Sequence, residues 1–189
     1  PKSDCVLKVP APSAACKTAP EEVEGLVSAV DTLSETSFRL HVKLAKPIRF
    51  LPGQYVNISV PGTGKRRSYS FSSMLELVAL QGTEHPIVLY YAVTRRADLV
   101  ELDRINDLVA KIGSVTVITV LAADEDTHER KGFVTDHVTV GDLNGGECDV
   151  YLCGPPPMVD AVRKHFEVLG VEPENFYYEK FNPTEAEAA

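Results

Sequence analysis

A thiol, a glycine and three prolines stand together at residues 153–157, in the sequence CGPPP. A short apolar run containing Val150 and Leu152 precedes them, which is typical of a buried β-strand. A helical repeat of apolar residues follows, and prolines are tolerated in the first turn of a helix. The stretch therefore predicts a strand, a tight turn and a helix. Cys153 and Gly154 would lie at the carboxyl end of the strand, where parallel sheets bind their ligands.

The cysteines allow several interpretations. Cys148 and Cys153 are an odd number of residues apart along one strand, so they point to opposite faces and do not pair with each other. With Cys5 and Cys16 they match no zinc or iron–sulfur spacing. As a nucleophile, Cys153 has no recognisable partner, and as a buried structural thiol it is unexceptional. The pattern favours free thiols in a cytoplasmic protein.

A second polar group occupies a predicted strand at residues 67–73, RSYSFSS. Arg67 and Tyr69 alternate with Ser68 and Ser70 along this strand, so a shared role for Tyr69 and Ser70 requires a twist or bulge. The simpler alternative is an edge strand whose arginine and tyrosine face solvent.

Two further groups follow predicted strands. Thr94, Arg95 and Arg96 end the continuous apolar run at residues 87–93, at the edge where a ligand of a parallel sheet would lie. Solvated loop arginines are the alternative. Glu179 and Phe181 belong to the terminal YEKF, where a salt-bridged glutamate and a core phenylalanine are the alternative.

The elements that position these residues form two unlike halves. Alternating strands with Gly/Pro turns to about residue 73 predict an antiparallel sheet or barrel. After that, strands alternate with helices, which predicts a parallel sheet. The predicted strands are 23–33, 36–44, one within 50–62, 67–73, 87–93, 115–121, 150–153 and 175–180, with a further short strand at 5–9. Helices are expected from residue 74, from Asp98 as an N-cap, and after the prolines up to Gly170.

Composition sets limits on function. The chain has 189 residues, enough for one large or two small domains. A net charge of −8 argues against nonspecific binding of nucleic acid. No apolar run reaches the length of a membrane span.

These motifs together resemble the ferredoxin–NADP reductase superfamily. Within it, the chain is similar to the reductase component of benzoate/toluate-type ring-hydroxylating dioxygenases. The similar stretches are FLPGQYVNISVPGTGKRRSYSFSS, HERKGFVTDHV, LNGGECDVYLCGPPPMVDAVR and ENFYYEKF. The resemblance implies an antiparallel FAD-binding β-barrel, incomplete here, followed by an α/β NAD-binding domain with a parallel sheet. It divides the chain into the tail of an upstream ferredoxin domain with a linker at 1–22, the barrel at 23–73, and the NAD domain at 74–189.

The resemblance also implies roles for the residues. Arg67 would bind the FAD pyrophosphate, Tyr69 would pack on the flavin, Ser70 would donate near its N5, and Phe181 would pack against it. Cys153 would orient hydride transfer, and Glu179 would serve a proton path. The implied catalytic residues are Ser70, Cys153 and Glu179. The implied FAD residues are Gln54, Arg67, Ser68, Tyr69, Ser70 and Phe181. The implied NAD residues are Thr94, Arg95, Cys153, Gly154, Pro155, Pro156 and Met158, and no metal ligand is expected.

Two departures from the family pattern stand out. The cysteine run that holds the family's [2Fe–2S] cluster is absent, and neither Cys5 nor Cys16 matches a ligand position. After Ser73 a helix of the NAD domain follows at once, where the family continues with more barrel strands, the first NAD-domain strand and a Gly-rich loop. Roughly 70 to 80 residues would be missing, a large part of a typical domain. The barrel would then be open and the parallel sheet would lack its first strand.

The implied function is a reductase that passes electrons from NADH through FAD, and through a [2Fe–2S] cluster outside this chain, to the oxygenase of a benzoate-like dioxygenase. Cations near residue 95 leave NADPH open as the donor. Two alternatives remain open. One is a reductase for another acceptor, such as a monooxygenase, a cytochrome or free flavin; the other is a non-catalytic module that binds a nucleotide or protein.

Overall fold

The computed structural model describes residues 4–9, 21–35, 37–48, 55–59, 66–70, 74–123 and 129–180. The strands are β1 (Asp4–Val9), β2 (Glu21–Thr32), β3 (Phe38–Leu44), β4 (Tyr55–Ser59), β5 (Arg66–Ser70), β6 (Ile87–Val93), β7 (Val115–Leu121), β8 (Asp149–Gly154) and β9 (Asn175–Lys180). The α-helices are α1 (Met74–Gln81), α2 (Leu102–Ile112) and α3 (Pro156–Leu169). No helix within these ranges is long and apolar enough to cross a bilayer.

The first five strands form one antiparallel sheet in the order β3-β2-β1-β4-β5. The short strand β1, which the sequence suggested as the last strand of a preceding domain, lies in the centre of this sheet. It pairs with β2 on one side, where Leu7 faces Val23, and with β4 on the other. A segment that exchanges backbone hydrogen bonds on both sides is an integral part of a sheet. Among the described strands the sheet ends at β3 and β5 without closing, which agrees with the predicted incomplete barrel.

The second half contains two parallel pairs, β6 with β7 and β8 with β9. Helix α2 connects the first pair and α3 the second, as expected for βαβ units. In the part of the chain that the structure describes, no backbone ladder joins β6 to β8. This division into two small sheets agrees with the expectation of a parallel sheet that lacks a strand.

The apolar stripe of α3 fills the core of the second half. Val159, Val162 and Phe166 are buried, and Phe166 meets the ring of Phe176 on β9 edge-to-face at 5.8 Å between centroids. The helix begins at Pro156 and ends before Gly170, whose φ of 67° makes it a left-handed cap, as predicted.

The start of α2 differs from the prediction. Asp98 is not its N-cap, because α2 begins at Leu102 and Glu101 occupies the cap position with a φ of 58°. Residues 96–98 form a separate 3-10 turn instead. Two contacts explain this. The hydroxyl of Tyr91 accepts a hydrogen bond from the backbone N–H of Val100 at 3.1 Å, and the Asp98 carboxylate accepts one from Arg95. The hydrogen bond to Tyr91 on β6 and the ion pair of Asp98 with Arg95 thus take the place of the expected cap.

An ion network ties the antiparallel sheet to the helices of the second half. Arg39 on β3 donates to the carboxylate of Glu101, and Arg104 on α2 donates to the same carboxylate at 2.9 Å. Arg104 also donates to Glu76 on α1. Burial alone would raise the pKa of Glu101, but the hydrogen bonds from Arg104 and Arg39 outweigh it and lower the pKa.

Candidate functional site at the carboxyl ends of the parallel strands

The turn after β8 places a thiol and a nearly donor-free helix start at one edge. Pro155, Pro156 and Pro157 have no N–H to offer. The next two N–H groups, of Met158 and Val159, both donate to the carbonyl of Pro155, at 2.9 and 3.2 Å. The start of α3 therefore has few donors for a phosphate, unlike an ordinary helix N-terminus. It suits an uncharged flat ring better than an anion.

Gly154 is buried in this turn, and Met158 occupies the space that a side chain would fill. A Cβ on Gly154 would lie 2.5 Å from the sulfur of Met158 and 3.4 Å from its Cγ. The sequence analysis placed Gly154 among the residues that would bind NAD. In this structure its missing side chain admits the thioether of Met158, so a ligand at this position would contact Met158 as well.

Cys153 is exposed at the end of β8, and its register partner on β9 is Glu179. Two residues that lie 26 positions apart in the sequence are thus adjacent across a parallel ladder. One step back along each strand's exposed side, the rings of Tyr151 and Tyr177 stack at 4.9 Å. The structure therefore brings together Cys153 and Glu179, which the sequence analysis selected as catalytic residues from separate motifs.

The two cysteines of this strand occupy opposite environments, as their odd spacing predicted. Neither forms a disulfide. Cys148 packs against the core cluster around Phe166, and burial, followed by the charge of Asp149, raises the pKa of its thiol. Cys153 is exposed. Only Cys153 is accessible to a ligand at the sheet edge.

The residues predicted to bind flavin are described only in part. The backbone of β5 pairs with β4, so that Tyr69 faces Val56 and Ser70 faces Tyr55, and Arg67 and Ser68 occupy the preceding register positions. Gln54 and Phe181 lie outside the described residues. The flavin roles of these residues stay predictions.

A cavity of about 630 Å³ lies at the carboxyl ends of β6 and β7. Its lining comes from the β2–β3 turn at residues 33–35, from residues 95–97 after β6, and from the end of β7 at Leu121. Arg95, predicted to contact the nicotinamide nucleotide, faces two carboxylates here. Its Nε lies 3.4 Å from Oδ2 of Asp98, and its Nη1 lies 3.8 Å from Oε2 of Glu35. Thr94 is exposed, and its carbonyl accepts a hydrogen bond from Ala123.

The sequence analysis missed the two carboxylates at this cavity. Asp98 was interpreted as a helix cap, although its position three residues after Arg95 was a visible signal for an ion pair. Glu35 gave no signal, because it reaches Arg95 from a turn 60 positions earlier in the chain. Only the packing of the two halves reveals that contact.

Comparisons with known proteins identify the family. Residues 60–164 match the oxidoreductase NAD-binding domain family. The toluate 1,2-dioxygenase electron transfer component of Pseudomonas putida is 35% identical over 247 residues, covering 95% of this chain and 74% of the relative. The 2-halobenzoate 1,2-dioxygenase electron transfer component of Burkholderia cepacia is 30% identical, covering 97% and 74%. The chain belongs to this family of reductase components. It is an oxidoreductase with the predicted NAD-binding domain.

The solved structures confirm the fold. The cytochrome P450 reductase GcoB of Amycolatopsis superposes with a TM-score of 0.68 at 23% identity, covering 97% of this chain and 71% of that chain. The shared architecture is the ferredoxin-reductase type of fold that the sequence analysis expected.

The alignments also bear on the absent internal segment. The alignment with the toluate reductase component extends over 247 residues, whereas this whole chain has 189. The relative therefore contains residues inside the aligned stretch that have no counterpart here, as the sequence analysis expected. Their position after Ser73 stays a prediction. So does the domain division at 73/74, because the family match already begins at residue 60.

Proposed function

We propose that this chain is an NADH-dependent FAD reductase that supplies electrons to the oxygenase of an aromatic-ring dioxygenase, in the cytoplasm. The electrons would travel onward through a [2Fe–2S] cluster on a ferredoxin domain outside this chain. The names of the toluate and 2-halobenzoate relatives support the dioxygenase role. The observation that carries the proposal is the exposed thiol of Cys153 beside Glu179, next to a helix start that offers almost no donors.

This edge is suited to a nicotinamide ring. The nicotinamide ring is flat and carries no phosphate. Its binding therefore depends on van der Waals contact and correct orientation more than on the N–H donors that a phosphate needs. Cys153 would contact the ring and fix its approach, with Gly154, Pro155, Pro156 and the thioether of Met158 forming the neighbouring wall. Glu179 would hold or pass a proton at the same edge.

The flavin would be held by the first half. Arg67 would pair with its pyrophosphate, since a guanidinium fork matches phosphate oxygens. Tyr69 and Phe181 would pack on the ring system, Gln54 and Ser68 would line it, and Ser70 would donate a hydrogen bond at its reactive edge. When bound, FAD would accept one hydride, which carries two electrons, and would release these electrons one at a time. This chemistry belongs to the cofactor and not to the protein.

Flavin reduction tests this proposal. We expect the purified chain to bind FAD and to lose its flavin absorbance on anaerobic mixing with NADH. Cys153→Ala should retain the flavin and slow its reduction about tenfold or more, because a misplaced ring loses its alignment. Cys148→Ala is the matched control: it removes the same group from the opposite face and should leave the rate unchanged while lowering stability.

The outcomes separate the alternatives. If the chain binds FAD but NADH does not reduce the bound flavin, the chain is a non-catalytic module. Arg67→Ala should weaken FAD retention without changing the rate of the flavin that stays bound. When a ferredoxin domain is added, electron delivery to a benzoate-type oxygenase supports the proposed acceptor. Delivery only to a cytochrome, or only to free flavin, contradicts it.

A further inference from the structure

The turn before β8 contains an asparagine followed by a glycine, Asn144 and Gly145, and both residues are exposed. Asn144 has a φ of 44° and a ψ of 41°, and Gly145 has a φ of 65° and a ψ of 13°. Both lie in the left-handed region, which glycine adopts freely and which costs other residues conformational energy. The fold therefore presents an amide side chain to water in a strained turn, and the next residue has no side chain to shield its backbone nitrogen.

We propose that Asn144 is a deamidation site, at which the chain modifies itself with water as the co-reactant. The backbone nitrogen of Gly145 attacks Cγ of the Asn144 side chain, loses its proton, and expels the amide nitrogen as ammonia. Water then opens the resulting cyclic imide at either of its carbonyl carbons. One product is an aspartate at position 144. The other is an isoaspartate, in which the main chain runs through the former side chain.

The hydrogen bonds of this turn are weak restraints on the reaction. The attack requires rotation about the Cα–C bond of Asn144, which turns its carbonyl away from the N–H of Glu147, 3.2 Å distant. The Asn144 side chain donates from Nδ2 to the Glu147 carbonyl over a long 3.3 Å. Local opening of an exposed, strained turn costs little free energy. Asn106, which is also exposed, lies within α2, where the hydrogen bonds of successive turns fix the backbone.

The two products affect the fold differently, because the chain is fixed on both sides of the turn. Leu143 is buried in the core cluster, and Gly146 is buried against the carbonyl oxygen of Glu172. Isoaspartate inserts a methylene into the main chain between these fixed points and should displace the start of β8, the strand that carries Cys153. Aspartate leaves the main chain unchanged, so its effect on stability should be small.

The test follows the folded whole chain during storage in mildly alkaline buffer. Peptide mass spectrometry measures deamidation at each asparagine, and labelling with protein isoaspartyl methyltransferase measures isoaspartate. We expect the peptide containing Asn144 to deamidate several times faster than the peptide containing Asn106. The rate should rise with pH, because the attacking nitrogen must lose its proton. The melting temperature of the chain should fall as isoaspartate accumulates.

Two variants separate the products. Asn144→Gly removes the reacting side chain, suits the left-handed turn, and should keep its melting temperature during storage. Asn144→Asp supplies the first product directly and should melt close to the fresh wild-type chain. If Asn144 deamidates no faster than Asn106, or only when the chain is unfolded in urea, the inference is overturned. An equal fall in melting temperature for wild type and Asn144→Gly would also contradict it.

Discussion

Among the side chains that the structure describes, the two halves of this molecule bury their apolar residues to very different degrees. In the α/β half, a cluster of Val134, Leu143, Val162 and Phe166 is nearly inaccessible to solvent. In the antiparallel half, Val23 is the buried apolar residue among those whose side chains the structure describes, and Val30 is 56% exposed. Both halves have regular secondary structure, and within the side chains that the structure describes it is the second half that packs a core around a helix.

This difference shows that the pairing of strands by backbone hydrogen bonds is separate from the packing of apolar side chains into a core. Antiparallel strands satisfy their backbone groups with neighbouring strands whether or not a second layer covers them. A large part of folding stability, however, comes from apolar surface removed from water. The second half therefore supplies the packed core that supports Cys153, and the ion network around Glu101 attaches the antiparallel sheet to it. Four substitutions test this view, and they are ordered by expected effect.

The largest effect is expected at the core of the α/β half. Phe166→Ala should lower the free energy of unfolding by about 3–5 kcal/mol, because it leaves a cavity against Phe176. Val168→Ala on the same helix is the control, since Val168 is 77% exposed and its truncation should cost about 0.5 kcal/mol or less. Urea unfolding followed by circular dichroism measures both. Equal costs for the two variants would mean that α3 does not carry the core.

The next effect is expected at the turn before β8. Gly146 has a φ of 103°, and a Cβ there would lie 2.6 Å from the carbonyl oxygen of Glu172. Gly146→Ala should therefore lower the free energy of unfolding by about 2 kcal/mol or more. The alanine would strain the backbone at this positive φ, and its Cβ would clash with a backbone oxygen that cannot move aside as a flexible side chain could. Gly170→Ala, with a φ of 67° and open space around it, should cost only about 1 kcal/mol. Melting temperatures that fall equally for both variants would contradict the steric explanation.

A smaller effect is expected where the halves meet. Glu101→Gln should destabilise the chain by about 1 kcal/mol at neutral pH, because Arg39 and Arg104 lose their shared carboxylate. The pKa of Glu101 is lowered in the folded state. Its contribution is therefore present above the unfolded pKa of about 4.3 and is lost as the pH falls through the folded value.

The wild-type and Glu101→Gln curves of stability against pH should thus converge in acid, and Glu84→Gln, at an exposed position, should run parallel to the wild type throughout. Hydrogen exchange should show the antiparallel sheet opening first in Glu101→Gln. A constant difference between the two curves down to low pH would rule out the ion network as its source.

The smallest effect is expected on the open sheet. Val30→Thr keeps a β-branched side chain on β2 and should change the free energy of unfolding by less than about 0.5 kcal/mol, because Val30 is more than half exposed. The same substitution at Val159, which is fully buried on α3, should cost several times as much. A large cost at Val30 would show that another layer covers this face in solution.

Much of the secondary structure followed from local pattern. The strands at 87–93, 115–121 and 175–180 agree with β6, β7 and β9, and the left-handed cap at Gly170 is where it was predicted. Hydrophobic periodicity and caps act over a few residues, so they are visible in the sequence. The predicted start of α2 was wrong because Tyr91, on β6, accepts a hydrogen bond from the backbone of Val100 and so holds the segment before the helix.

The sequence by itself determined the strand–turn–helix around Cys153 and Gly154, because a short apolar run, a glycine and three prolines leave the backbone few other conformations. It also determined that Cys148 and Cys153 face apart, since strands alternate with a period of two. Only the tertiary structure decided that β1 lies inside the sheet, that Glu179 is the neighbour of Cys153, and that Glu35 meets Arg95. Each of these joins residues far apart in the chain, and such contacts depend on how whole elements pack and pair.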